Sequence, residues 1–384
     1  MNIAIDIDDT LTQSFDYFLP FVAEYFGADE GELRARNISY STLPEAWKKR
    51  EVPFARAYFD RFAADTPFKP DAAWGVGLLR AAGHRIVIIT RRSDALYTDP
   101  YQTTREELAK GGIPYDKLIC TMDKAAACRE EQINLLIDDM AEHCDAAVRQ
   151  GIPAVLFSSK GNQGICREYP RVENWREAVE AARQIDRGYP DKAQARQLLL
   201  EAEEINPGPW ADHGRVAAQC AQRIAQACGM DGEKAYVLGL LHDIGRRFLV
   251  RDLGHIYNGY QYMTRLGFGA AARICLSHSF ATQNLDDYIG QFDIPPDETA
   301  RVRRLLDDMV FDDMDRLIQL CDALAGSGGV MDMEERMADV RRRYGRYSQE
   351  KWDKNLEIKM YFERKAGRSM EEILGGPIRP GEEA

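Results

Sequence analysis

The stretch Asn2-Ile3-Ala4-Ile5-Asp6-Ile7-Asp8-Asp9-Thr10-Leu11-Thr12 decides the reading of the first half of the chain. Its apolar run, Asn2 to Ile7, has the length and residues of a short buried strand, and it stops on acids. Asp6 and Asp8 are two apart, so on an extended strand end their side chains share one face. The pattern returns downstream. Arg85 to Ile89 is β-branched and ends at Thr90, Leu135 to Ile137 ends at Asp138 and Asp139, and Ala154 to Phe157 ends at Ser158. Lys117 to Cys120 is a weaker strand candidate. Helical patterns alternate with these runs: Trp74 to Ala82, Thr104 to Lys110, Lys124 to Glu131 and Glu142 to Gln150. Gly83, Gly111, Gly112 and Gly151 stand where those helices should stop.

Short buried strands alternating with helices imply a parallel, Rossmann-like α/β sheet covered on both faces. In such a sheet, ligands bind at the C-terminal ends of the strands. The segment from about residue 15 to 70 breaks the alternation. It is rich in aromatics and helix formers, and it reads as a helical cap inserted over that edge. The cap aromatics Phe15, Tyr17, Phe18, Tyr40 and Trp47 can stack on a ligand, but a core role is the default for each.

The residues gathered at the edge suit phosphoryl transfer. A carboxylate can attack phosphorus and form an aspartyl-phosphate. A second acid can protonate the leaving oxygen and later activate water. A hydroxyl and an ammonium can hold the phosphoryl oxygens as charge shifts. Clustered carboxylates without histidine suit a hard cation such as Mg²⁺. Lys117 competes for the ammonium role, but Lys124 opens the helix leading into the strand of Asp138.

Asp6-Ile7-Asp8-Asp9-Thr10-Leu11-Thr12 resembles the first motif, DxDxT, of the haloacid dehalogenase superfamily. Ile88-Ile89-Thr90 resembles its second motif, Lys124 its third, and Leu136-Ile137-Asp138-Asp139 its fourth. The resemblance covers roughly residues 1–185, and the cap position is similar to that of the 5'(3')-deoxyribonucleotidase branch. It implies Asp6 as nucleophile, Asp8 as acid/base, and Thr90 and Lys124 as phosphate-holding catalytic groups. It also implies Mg²⁺ held by Asp6, the Asp8 carbonyl and the pair Asp138 and Asp139. Asp139 is the favoured direct ligand, with Asp138 acting through water or from behind. Arg91 is a further substrate-binding candidate.

After Trp175 no strand pattern remains. Glu177 to Ile185 reads as a last helix, and Arg187-Gly188-Tyr189-Pro190 as a joint. The expected domains are 1–187 and 188–384, the second all-α, with a C-terminal helical extension over 330–384. Breaks fall at Asn206-Pro207-Gly208-Pro209, Gly229, Gly267-Phe268-Gly269 and Pro295-Pro296. His213 opens an amphipathic helix, His242-Asp243 ends an apolar one, and Asp322 sits within another apolar run. Ionisable groups in apolar helices are costly unless paired or bound to metal. Imidazole with carboxylate suits Mn, Fe, Co or Zn.

These residues resemble the H…HD…D pattern of the HD superfamily of metal-dependent phosphohydrolases over roughly residues 195–330. Leu240-Leu241-His242-Asp243-Ile244-Gly245 is the most specific piece. His255 and His278 match the extended pattern that holds two metals, which would make Asp243 the bridge. Many relatives have lysine after HDIG. Here Arg246 stands there, and arginine also binds phosphate well. His84 and His143 follow no motif and read as structural. Arg341-Arg342-Arg343, with Tyr344 and Tyr347, could reach phosphate, but a solvated helix face is the default reading.

The formal charge is -12, from 50 Lys and Arg against 62 Asp and Glu. That disfavours a large nucleic-acid partner but admits small anions near a bound cation. No apolar stretch approaches a membrane span of ~18 residues. The start lacks a basic-then-apolar leader, and the eight cysteines form no CxxC pair, so reduced thiols and a cytoplasmic location are expected. The leading expectation is a bifunctional phosphohydrolase for nucleotides or related phosphate esters. The alternatives are a nucleotide or dinucleoside polyphosphate hydrolase centred on the second half, and a non-catalytic nucleotide sensor.

Overall fold

The structure is a computed structural model that describes residues 1–36, 38 and 42–380. Tyr40 lies outside the described residues. The chain divides into two compact units, Met1–Asp186 with Arg265–Gly267, and Arg187–Thr264 with Phe268–Ala384.

The first unit is built on six parallel strands: β1 (Asn2–Ile5), β2 (Arg85–Thr90), β3 (Lys117–Cys120), β4 (Leu135–Asp138), β5 (Ala154–Phe157) and β6 (Arg171–Val172). Their order is β3-β2-β1-β4-β5-β6. β1 lies in the middle, so Ile3, Ala4 and Ile5 are sealed on both faces, which explains an unbroken apolar run instead of alternation. Side chains still alternate between two cores. Ile3, Ile5, Ile86, Ile88 and Ile137 enter one, and Ala4, Val87, Ile89 and Leu136 the other. β6 was not expected: it is two residues long, too short for a period.

The cap comprises α1 (Ser14–Phe26), α2 (Glu30–Ala35), α3 (Glu45–Lys48) and α4 (Glu51–Asp65). Its aromatics make a core of their own. Phe18 meets Phe54 and Phe62 edge-on at 5.7 and 5.9 Å, and Trp47 stacks on Phe26 at 4.4 Å. The sheet is covered by α5 (Ala72–Ala81), α6 (Pro100–Lys110), α7 (Lys124–Glu130), α8 (Ala141–Arg149) and α9 (Trp175–Arg187). α6 starts earlier than its periodicity suggests, because Asp99 caps it and Pro100 opens it. Trp175 is fully buried, and its indole N–H donates to Thr10 O at 3.1 Å, which ties α9 to the loop after β1.

The second unit carries α10 (Lys192–Ile205), α11 (Pro209–Ala227), α12 (Gly232–Leu241), α13 (Leu253–Arg265), α14 (Gly269–Ser277), α15 (Pro296–Asp307) and α16 (Asp313–Leu324). Three further helices form the extension: α17 (Met333–Tyr344), α18 (Gln349–Ala366) and α19 (Met370–Ile373). The unit is not wholly helical. A two-residue antiparallel pair, β7 (Ala325–Gly326) and β8 (Gly329–Val330), follows α16, and pairs this short leave no mark in hydropathy. α11 and α12 pack closely because Gly239 lacks a side chain: a Cβ there would lie 3.0 Å from Ala218 Cα. No helix among the described residues is long and apolar enough to cross a membrane.

Candidate active centres

β1 ends at Ile5, two residues short of the expected limit, so Asp6 and Asp8 do not share an extended strand end. Asp6 N still donates to Ile137 O at 3.0 Å, and the chain then turns, with the N–H groups of Thr10, Leu11 and Thr12 pointing at Ile7 O. Asp9 adopts the left-handed conformation, φ 58, at this turn. Its carboxylate accepts from Phe15 N at 2.9 Å, one of the free N–H groups at the start of α1. The turn that presents the acids thus also anchors the cap.

Lys124, at the start of α7, is the hub of this centre. Its ammonium lies 2.6 Å from Asp6 Oδ1 and 2.7 Å from Asp138 Oδ2, and all three side chains are buried. His143 Nδ1 lies 3.1 Å from Asp138 Oδ1, and Met140 N donates to the same oxygen at 2.8 Å. Burial works against the Asp138 charge, but Lys124 and His143 prevail and hold its pKa down to about 2. Burial dominates at Asp6 and raises it to about 6 despite Lys124. Asp139 differs from both. Its carboxylate accepts from Ser159 Oγ at 3.1 Å, and no described cation pairs with it directly. Burial and the charges of Asp138, Asp9 and Asp6 push it well above the carboxylate range. Oxygens of Asp6, Asp138 and Asp139 lie within 4.8 Å of one another. A hard divalent cation fits this arrangement, because it would neutralise the one carboxylate that Lys124 leaves unpaired.

Asp8 points elsewhere. It accepts from Ser14 Oγ at 2.9 Å and lies 3.3 Å from an Arg92 guanidinium nitrogen. Arg92 is buried and also paired with Glu107 of α6. Thr90 is buried at the end of β2. Arg91 is exposed and borders a small separate cavity together with Met122 and Lys124. Sequence reasoning missed Arg92, Ser14 and His143, and it read His143 as merely structural although it touches Asp138. A cleft of about 870 Å³ opens beside Asp9, lined by Phe15, Lys69, Lys160 and Arg171 among others.

The second centre is made of imidazoles. His213 projects from the second turn of α11, not from its first residue. His242 and Asp243 follow α12, His255 lies on α13, His278 follows α14, and Asp322 is in the last turn of α16. Gly245 explains how α13 comes so near: a Cβ there would lie 1.9 Å from His255 O. Each imidazole turns Nδ1 toward a backbone carbonyl. His213 faces Ala325 O at 3.0 Å, His242 faces Gly239 O at 2.7 Å, His255 faces Arg251 O at 2.9 Å and His278 faces Cys275 O at 2.9 Å. A proton on Nδ1 satisfies each carbonyl and leaves Nε2 facing inward; at His278 burial opposes the charge, but Asp243 prevails and raises the pKa.

Those Nε2 atoms meet one another. Nε2 of His213 lies 3.2 Å from Nε2 of His242 and 3.1 Å from Asp322 Oδ1. Nε2 of His255 lies 3.0 Å from Asp243 Oδ1 yet has no hydrogen-bond partner of good geometry. Burial pushes His242 down to about 4 and also lowers His255, so both favour the neutral, ligating form. Acceptors facing acceptors at contact distance fit a metal ion between them. Ligand atoms of His213, His242 and Asp322 lie within 4.8 Å of one another, as do those of His242, Asp243 and His278. Arg246 Nε lies 2.6 Å from Asp243 Oδ2 and holds that carboxylate from outside. Arg343, Tyr344 and Tyr347 border the cavity beside this cluster; Arg343 and Tyr344 are exposed, in keeping with a solvated face, and Tyr347 is half-buried. Arg341 and Arg342 are exposed.

Residues 210–326 match the family model of the HD domain. No curated protein matches the chain. Among solved structures it is similar to a predicted phosphatase from Clostridium acetobutylicum, at 15% identity over 48% of this chain and 98% of that one, with TM-score 0.37. It is also similar to a D,D-heptose 1.7-bisphosphate phosphatase from B. bronchiseptica complexed with magnesium and phosphate, at 14% identity over 48% and 99%, with TM-score 0.31. A HAD family hydrolase from Deinococcus radiodurans R1 with bound phosphate and sodium follows at 12% identity over 48% and 94%, with TM-score 0.34.

Proposed function

We propose, from the HD domain at residues 210–326 and the carboxylate centre before it, that the chain is a phosphate-ester hydrolase with two centres. Its substrates are small phosphorylated molecules, with nucleotides and their relatives as the proposed class. One observation carries this reading. Each centre gathers more inward-facing lone pairs than its own protons and cations satisfy, and both do so beside a cleft.

At the first centre Asp6 attacks phosphorus, the bond to the leaving oxygen breaks, and Asp8 supplies that oxygen with a proton. Water, giving its proton back to Asp8, then splits the aspartyl-phosphate and releases phosphate. Lys124 keeps Asp6 in line, while Ser14 and Arg92 hold Asp8. Thr90 is the proposed hydroxyl partner of the phosphoryl group, and Arg91, exposed on a cavity that Lys124 also borders, is a proposed substrate contact. Mg²⁺, held by Asp6, Asp139 and the Asp8 carbonyl, would supply charge neutralisation at the phosphoryl oxygens. At the second centre His213, His242, Asp243 and Asp322 would hold one divalent transition metal, and His255 and His278 a second that shares Asp243. Such ions supply Lewis-acid polarisation of a phosphoryl group. Arg246 offers its remaining N–H groups to phosphate.

Phosphate release from a nucleotide panel, measured on the intact protein and on Asp6→Asn and Asp243→Ala, tests the reading. Each substitution is expected to remove release from a different subset of substrates. If the panel yields no phosphate with any divalent metal, the protein is not a hydrolase of this class, and metal-dependent binding without turnover would make it a sensor.

A further inference from the structure

The HD match ends at residue 326, yet three cations from beyond it, Arg336, Arg343 and Lys351, border the cavity of the second centre. Lys351, in the first turn of α18, is buried. Its ammonium donates to Ser279 O at 2.8 Å, the carbonyl next to His278. Arg336, on α17, donates from Nε to Asp322 O at 3.2 Å. Neither has a carboxylate partner among the described residues. Arg246 and Arg343, which border the same cavity, both pair with acids. A buried ammonium satisfied by one carbonyl keeps two donors free, and a guanidinium held through Nε keeps its outer fork free. Burial pushes Lys351 down to about 8, a cost that an adjacent oxyanion would relieve. Both residues border the same cavity of about 480 Å³ as His213, His278 and Asp322.

We propose that Lys351 and Arg336 form an oxyanion seat that the C-terminal extension adds to the HD centre. It takes the phosphoryl group of a small phosphorylated ligand lying against His278 and Asp322. Tyr347 borders the same cavity and, with its hydroxyl accepting from Asn355 Nδ2 at 2.8 Å, offers a fixed aromatic face to the organic part. The proposal rests on the hydrolase reading for its choice of ligand, but not for the existence of the seat.

The test uses the intact protein and inorganic phosphate. Acylation of Lys351 by acetic anhydride, followed by mass spectrometry, reports the residue directly. Phosphate should slow labelling of Lys351 about tenfold while leaving exposed Lys48 unaffected, and Arg336→Gln should remove most of that protection. In kinetic terms, Lys351→Met should raise KM at the HD centre about tenfold or more with a smaller change in kcat, and Lys351→Arg should restore part of it. Labelling of Lys351 that phosphate does not change would overturn the proposal, as would an unchanged KM in Lys351→Met. Protection without any turnover would keep the seat and sink the hydrolase reading. Turnover without protection would do the reverse.

Discussion

At the first centre an ammonium sits between two of three carboxylates. At the second nothing cationic sits between the imidazole nitrogens. Lys124 bridges Asp6 and Asp138 at hydrogen-bond distance, so most of that cluster is balanced by the chain itself. His213 and His242 face each other through their Nε2 atoms at 3.2 Å, and Arg246 holds Asp243 from outside. The difference predicts how each unit depends on metal. The first should fold with or without Mg²⁺ and need it for chemistry. The second should draw part of its stability from the ion.

The largest effect tests whether the centres are separate. Asp6→Asn should lower phosphate release at the first centre on the order of 10⁴-fold and leave the second unchanged. Asp243→Ala should do the opposite. A single substitution that silences both would dissolve the comparison.

Removing the internal cation comes next. Lys124→Met leaves Asp6 and Asp138 buried without their partner, and it should cost the first unit about 3–5 kcal/mol in denaturant unfolding. Added Mg²⁺ should recover part of that loss. A cost below about 1 kcal/mol, on the scale of exposed pairs, would mean the cluster is more hydrated than its burial indicates.

Chelation is the complementary perturbation. Stripping divalent ions should lower the stability of the second unit by about 3 kcal/mol, as for a ligand held near one hundred times its Kd. Calorimetry should show its transition moving while that of the first unit stays nearly still. Equal shifts in both would erase the contrast drawn from Lys124.

The smallest effect sharpens the roles of the acid pair. His143→Ala removes a partner of Asp138 and should cost about 1–2 kcal/mol without lowering Mg²⁺ affinity at Asp139 by more than a few-fold. A large loss of Mg²⁺ affinity would make Asp138, not Asp139, the principal ligand.

The parallel sheet was legible because β1, β2, β4 and β5 are sealed on both faces and therefore read as apolar runs. Acids and a threonine at the ends of such runs stand out for the same reason. What escaped lacked a periodic signature. β6 and the β7–β8 pair are two residues per strand. Arg92 reads as an ordinary polar residue after a strand; its significance comes from Asp8 and Glu107, 84 and 15 residues away in sequence. Arg91, its neighbour, is the sequence's candidate for substrate, and it borders a cavity with Lys124 while Arg92 turns to Asp8. His143 lies five residues past Asp138, where one turn into α8 brings its ring back to the carboxylate. Lys351 and Arg336 lie outside every motif, and only the tertiary return of α17 and α18 takes them to the HD cavity.

The most direct measurement is anomalous diffraction from crystals grown with Mn²⁺. A peak among His213, His242, Asp243 and Asp322, with the imidazole Nε2 atoms drawn toward it, is the predicted result. Ordered protein with no peak there, and with those imidazoles hydrogen-bonded to one another through reversed tautomers, would contradict it.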